Sequence, residues 1–146
     1  MCGIAGIISD KPQHLSSIKK MTKIIEHRGP NGNHTYEWNN VALGHLRLSV
    51  IDLSEGGSQP MHWHNQYTII FNGEVYNYIE IRNELIQKGY TFVSQSDTEV
   101  ILASYDFWGE ECLSHFNGMF SLAIINKEKN KFFCARDRFG VKPFYY

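Results

Sequence analysis

The 146-residue chain has no long apolar run. Cys2 to Ile8 are all apolar or glycine, but Asp10 and Lys11 follow at once, and no stretch approaches the roughly 20 apolar residues that a membrane span needs. No basic segment precedes the apolar opening, which argues against a secretory leader. A reducing cytoplasm is therefore the expected compartment. Cysteine is scarce as well: Cys2, Cys112 and Cys134 are an odd number without paired spacing, so neither a disulfide framework nor a metal site is expected. Nor does one sign of charge dominate. Fourteen Lys and Arg face 15 acids, a net charge of −1, which gives no field to gather nucleic acid or an anionic membrane. Repeats and low-complexity stretches are absent too.

What is present reads as one α+β domain over residues 1–146, long enough to bury a real core. Gly3 to Ile8 predicts a buried strand. Leu15, Ile18, Met21, Ile24 and Ile25 recur at helical spacing and predict an amphipathic helix over 15–27. Arg28 to Asn33 reads as a loop from its turn residues. Val41 to Val50 and Tyr67 to Phe71 read as strands, joined through the glycine- and serine-rich stretch Ser54 to Ser58. Ile79, Leu85 and Ile86 suggest a helix ending at Gly89, and Thr91 to Val93 is strand-like. Ser96 and Glu99 have the spacing of a capping box and open a helix carrying Val100, Leu102, Ala103 and Phe107. Met119 to Asn126 and Phe132 to Ala135 predict a hairpin, and Tyr145-Tyr146 falls in strand-like sequence. Strands in batches between helix pairs point to a layered sandwich, not an alternating parallel sheet.

The residue with the most chemistry is Cys2. If Met1 is removed, the thiol and the free α-amino group belong to one residue. The ordinary pKa of an α-amino group is about 7.7–8.0 and of a thiol about 8.5, so both titrate near working pH. A terminal amine can therefore serve as the base for its own nucleophile. On position alone, Cys2 reads more readily as a small apolar residue opening a buried strand.

Six further features decide between these readings: Met1-Cys2-Gly3-Ile4-Ala5-Gly6, His27-Arg28-Gly29-Pro30, Arg47-Leu48-Ser49-Val50-Ile51-Asp52, Asn72-Gly73-Glu74-Val75-Tyr76-Asn77, Ser96-Asp97-Thr98-Glu99 and Arg136-Asp137-Arg138-Phe139-Gly140-Val141-Lys142-Pro143. In this order they resemble the class II glutamine amidotransferase domain, an N-terminal-nucleophile hydrolase. The likeness is greatest to the amino-terminal domain of glutamine-hydrolysing asparagine synthetases. It implies an αββα sandwich of two mainly antiparallel sheets between helix layers, cut short at its C-terminal end.

The resemblance also implies a site. Cys2 would be the nucleophile, with the Asn72 side-chain amide and the Gly73 backbone N–H as the oxyanion hole. Asn72-Gly73 is read as a tight turn after a strand, where an amide can escape the ladder. Glutamine's α-carboxylate suits the planar fork of Arg47, and its α-ammonium suits Glu74 and Asp97. Leu48, Ser49, Val50, Ile51, Asn72 and Gly73 would line the same pocket. Each residue has a plainer reading: Arg47 as a surface charge, Asp97 as an acid favoured by a helix N-terminus, and Asn-Gly as a hairpin turn. His62 and His64 could share one side of an extended segment, but with no third ligand in sight a strand is the expectation. Cys112 and Cys134 are expected to be core thiols, the 136–143 segment structural, and His27 not a catalytic base.

Asn31 stands where the family usually has aspartate, which changes a loop charge and is expected to touch no inferred catalytic role. No nucleotide cradle is visible, so no cofactor is expected in this domain. The resemblance places ATP and magnesium in a synthetase domain absent from the sequence. The expected reaction is glutamine to glutamate and ammonia, with the ammonia passing in the longer protein to an acceptor, foremost aspartate. Partners would then be glutamine, the synthetase domain and, as an open option, a second copy of the chain. The alternatives are an amidotransferase domain for a sugar or antibiotic precursor, and a silent scaffold or glutamine sensor should Met1 be retained.

Overall fold

A computed structural model describes residues 2–49 and 54–146. Among the described residues, seven strands form two antiparallel sheets. The first has the order β1 (Gly3–Ile8), β3 (Val41–Arg47), β2 (Gly32–Trp38). The second runs β4 (Met61–Trp63), β5 (Tyr67–Val75), β6 (Gly118–Asn126), β7 (Lys131–Arg136). Two short helices, α1 (Pro12–Leu15) and α2 (Ile18–Ile24), cover the outer face of the first sheet through Leu15 and Ile18 on Ala42, Ala5 and Ile7. The outer face of the second sheet packs on α3 (Tyr78–Gln87), α4 (Asp97–Trp108) and α5 (Cys112–His115) in the main core, which includes Phe71, Leu85, Leu102 and Leu122. The layers are helix, sheet, sheet, helix, the expected αββα sandwich.

Strand alternation sets what lies between the sheets. Val41 and Leu43 of β3 meet Ile70 of β5 and Ala123 and Ile125 of β6 in a dry inner core. The same faces, followed further along each strand, turn polar: His45 and Arg47 on β3, Asn72 and Glu74 on β5, Ser121 on β6. One end of the sandwich is sealed by apolar side chains, and the other presents polar ones. Gly44 belongs to the opposite face, where a β-carbon would run into the Thr22 side chain of α2.

Several expected elements change. The helix over 15–27 is divided at Ser16-Ser17, and its end tightens into a 3₁₀ turn over Glu26–Arg28. The Ser16 hydroxyl donates to the Gln13 carbonyl at 2.9 Å, a local bond that competes with a continuous helix. Strand β2 was not foreseen because its face is largely polar. The Asn39-Asn40 turn into Val41, with Asn39 at φ 50, was the available hairpin signal. Thr91 to Val93 forms no strand, and neither does Tyr145-Tyr146. Strand β3 ends at Arg47; the rest of the expected strand includes Val50, which lies outside the described residues. The hairpin at 118–136 and the helix from Asp97 form as expected. Cys112 is buried, but Cys134 is exposed on the edge strand β7, against expectation. No described helix is long and apolar enough to cross a membrane.

Candidate active site

Cys2 immediately precedes β1, beside the polar end of the inter-sheet face. Its thiol is held against Leu48, whose N–H donates to Sγ at 3.3 Å and whose carbonyl accepts from it at 3.6 Å. The Cys2 carbonyl accepts from Arg28 Nε at 3.1 Å, so both ends of the residue are fixed by parts of the chain distant in sequence. A cavity of about 230 Å³ opens in front of the thiol. Its walls bring together eight residues expected from sequence: Cys2, Arg47, Leu48, Ser49, Asn72, Gly73, Glu74 and Asp97. Val50 and Ile51, also expected there, lie outside the described residues.

The sequence reading of Asn72-Gly73 as a tight turn is overturned. Both residues lie inside β5, opposite Ser121 and Phe120 of β6. The availability of the Gly73 amide has another cause. Phe120 spends its backbone groups on Asp137: its N–H donates to Asp137 Oδ2 at 3.2 Å and its carbonyl accepts the Asp137 N–H at 2.7 Å. Those groups therefore point to the β7 side. The Gly73–Phe120 pair is of the non-hydrogen-bonded kind, and Gly73 N–H faces the other edge of β5. There β4 pairs only with Tyr67 to Ile69 and leaves the rest uncovered. On this open edge, Phe71 N–H donates to Gln59 Oε1 at 2.6 Å and Val75 N–H to Asp97 Oδ2 at 3.1 Å. The Gly73 N–H lies between them and is not taken up by any described residue. A β-carbon at Gly73 would run into the Met119 carbonyl, so the close strand contact requires glycine.

Asn72 presents its side chain to the inter-sheet space, where Oδ1 is buried without a partner among the described residues. Arg47 is steadied by the 54–58 loop: one guanidinium nitrogen donates to Ser58 Oγ at 3.2 Å and the other to the Ser54 carbonyl at 2.7 Å. Asp97 begins α4 behind its N-cap Ser96, whose hydroxyl accepts the Glu99 N–H at 3.2 Å. The reciprocal half of a capping box is not made. Glu99 instead takes the N–H groups of Val93 and Ser94 at 2.9 and 2.8 Å. Burial pushes the Asp97 carboxyl up to about 6; the Val75 and Thr98 N–H groups oppose this, and the Glu74 charge adds to it.

Four contributors escaped the sequence reading. Gln59 lines the cavity and bridges Phe71 N–H to Thr98 Oγ1. Asn31 accepts the Ser49 N–H at 3.1 Å and so holds the pocket wall. His45 reaches the cavity from β3, and burial brings its imidazole down to about 4. Lys142 is buried, and its ammonium lies within electrostatic reach of Glu74 and Cys2. It is placed by Asp137, whose carboxylate accepts the N–H groups of Phe120, Phe139, Val141 and Lys142. That bracing gives the 136–143 segment the structural part expected of it. His62 pairs with Thr68 Oγ1 at 2.9 Å, while His64 turns away at φ 46, so the two imidazoles do not form a common site.

The layers form an αββα sandwich with the cavity at their polar end. The glutamine phosphoribosylpyrophosphate amidotransferase of Bacillus subtilis has a similar fold, with a TM-score of 0.56 at 22% identity over 68% of this chain and 23% of that one. Sequence similarity narrows the class: the chain belongs to the glutamine amidotransferase domain family, which it matches over residues 1–146. It is 46% identical to glutamine-hydrolysing asparagine synthetase 1 of Bacillus subtilis and 44% identical to asparagine synthetase 3 of the same organism. All of this chain is covered in both cases, against 24% and 25% of the relatives. The chain thus spans about a quarter of the length of the relatives it matches.

Proposed function

We propose that this domain hydrolyses glutamine and, within a longer protein, supplies the ammonia for amide synthesis, with aspartate as acceptor. The observation that carries the reading is the uncommitted Gly73 N–H beside Asn72, in a cavity with the Cys2 thiol at its mouth. With Met1 removed, the α-amino group of Cys2 takes the thiol proton and Sγ attacks the side-chain carboxamide carbon. The developing oxyanion accepts from the Gly73 N–H and the Asn72 amide. The amine then returns the proton to the leaving nitrogen, the C–N bond breaks, and ammonia departs from a thioester. Water attacks the thioester, releasing glutamate and restoring the thiol.

Arg47 pairs with the substrate α-carboxylate, while Asp97 and Glu74 accept from the α-ammonium. Asp97 must be ionised for this, and its raised pKa sets the acid limit of binding. The aspartate acceptor rests on the relatives named asparagine synthetases. The test joins intact mass to a glutaminase assay. Loss of Met1 together with glutamate and ammonia released in equal amounts supports the reading; a retained Met1 with no turnover would leave the silent glutamine-sensing alternative in its place.

A further inference from the structure

Two buried polar side chains of the cavity wall, His45 and Asn72, and a third beside them on β6, Ser121, are unequally explained by the chemistry above. His45, Asn72 and Ser121 are 1%, 4% and 0% exposed and share the inter-sheet face. Asn72 and Ser121 stand directly opposite in the β5–β6 register, so their side chains lie next to each other. His45 comes from the facing sheet, and its ring feels the carbonyl of Phe71, the residue before Asn72. Both His45 ring nitrogens, Asn72 Oδ1 and Ser121 Oγ are buried without a hydrogen-bond partner among the described residues. Buried polar atoms are almost always paired, and an ordered water with two to four polar neighbours is the usual means. Burial keeps the His45 imidazole neutral, so it offers one donor and one acceptor.

We propose that His45 is a positioning residue for Asn72, acting through a buried water held between His45, Asn72 Oδ1 and the Ser121 hydroxyl. The inference rests on the reading of Asn72 as an oxyanion donor. A carboxamide has nearly the same shape in its two flipped orientations, and only one of them turns Nδ2 toward the oxyanion. The other would set oxygen against oxygen. No described residue takes Asn72 Oδ1, so the sheet alone does not choose between them. A water that His45 orients to donate to Oδ1 does choose.

A double-mutant cycle on glutamine hydrolysis by this chain tests the coupling, with thermal unfolding measured for every variant. His45→Ala should lower kcat about tenfold or more, a share of the 10²–10³ that one oxyanion donor provides, with KM within about twofold. His45→Gln, which retains a donor and an acceptor, should recover most of the loss. In the Asn72→Ala background, His45→Ala should have no further effect on kcat, because nothing remains to be positioned. Should His45→Ala fail to fold, His45→Leu fills the space without polar atoms and completes the cycle. Unchanged kcat in the single variant, or losses that multiply in full, would overturn the inference while leaving the oxyanion reading intact. If Asn72→Ala itself kept full kcat, the oxyanion reading would fall and this inference with it.

Discussion

Gly73 and Phe120 face each other across β5 and β6 yet exchange no backbone hydrogen bond, because Phe120 is engaged by Asp137 on its other side. A donor inside a sheet is thereby directed to an uncovered edge, in the cavity that Cys2 also lines. Asp97 and Gln59 take the donors on either side of it, so the edge stays ordered while one N–H remains available.

Gly73→Ala should therefore damage both the fold and the site. The added β-carbon meets the Met119 carbonyl and the Phe120 backbone, which cannot swing aside as a side chain could. Overpacking of this kind costs about 1–3 kcal/mol, and the displaced strand moves the donor. Chemical denaturation and a glutaminase assay should show both losses; a fully active, fully stable variant would refute the close contact.

Asn72→Ala should lower turnover by about 10²–10³ with little change in glutamine binding, since its contact strengthens as charge develops. Arg47→Ala should mainly weaken glutamine binding, because the carboxylate contact is present in ground and transition states alike. Steady-state kinetics with isothermal titration separates the two. The opposite pattern would exchange their roles.

An electrophilic glutamine analogue should label Cys2 and spare the other thiols, and Cys2→Ala should abolish hydrolysis while retaining glutamine binding. The exposure of Cys134 sharpens the control. A general alkylating agent should also modify Cys134, whereas Cys112, buried with its thiol pushed up to about 12, should react slowest. Glutamine should protect Cys2 alone, as read by peptide mass spectrometry.

The pH dependence of stability carries two opposed contributions. Asp97 rises from 3.8 to about 6 on folding, so its contribution is present below pH 4 and is lost as pH rises through 6. His45 falls from 6.5 to about 4, so its contribution is present above pH 6.5 and is lost as pH falls through 4. Between pH 4 and 6 the two offset each other. Asp97→Asn should make stability rise with pH across this window, and His45→Gln should make it fall. Neither change should exceed about 1.4 kcal/mol per pH unit, the limit for one proton. Glutamine affinity in the unsubstituted chain should rise through pH 6 as Asp97 ionises.

Much of this protein follows from local chemistry that a sequence displays. Short apolar runs give β1, β5 and the 118–136 hairpin, Ser96 caps α4, and the separate motifs carrying Cys2, Arg47, Asn72 and Asp97 name the family. What the linear pattern cannot carry is which backbone groups the neighbours consume. Asn72-Gly73 has the composition of a turn, yet becomes mid-strand because β6 pairs along its whole length. The polar β2 becomes a strand because β3 offers it a partner. His45, Gln59 and Lys142 join the site only because two sheets and a distant loop converge there. Local propensity and side-chain chemistry are fixed residue by residue. The free amide at Gly73 is decided only in three dimensions, by where β4 stops and what Asp137 occupies, because hydrogen-bond satisfaction is a property of neighbours in space.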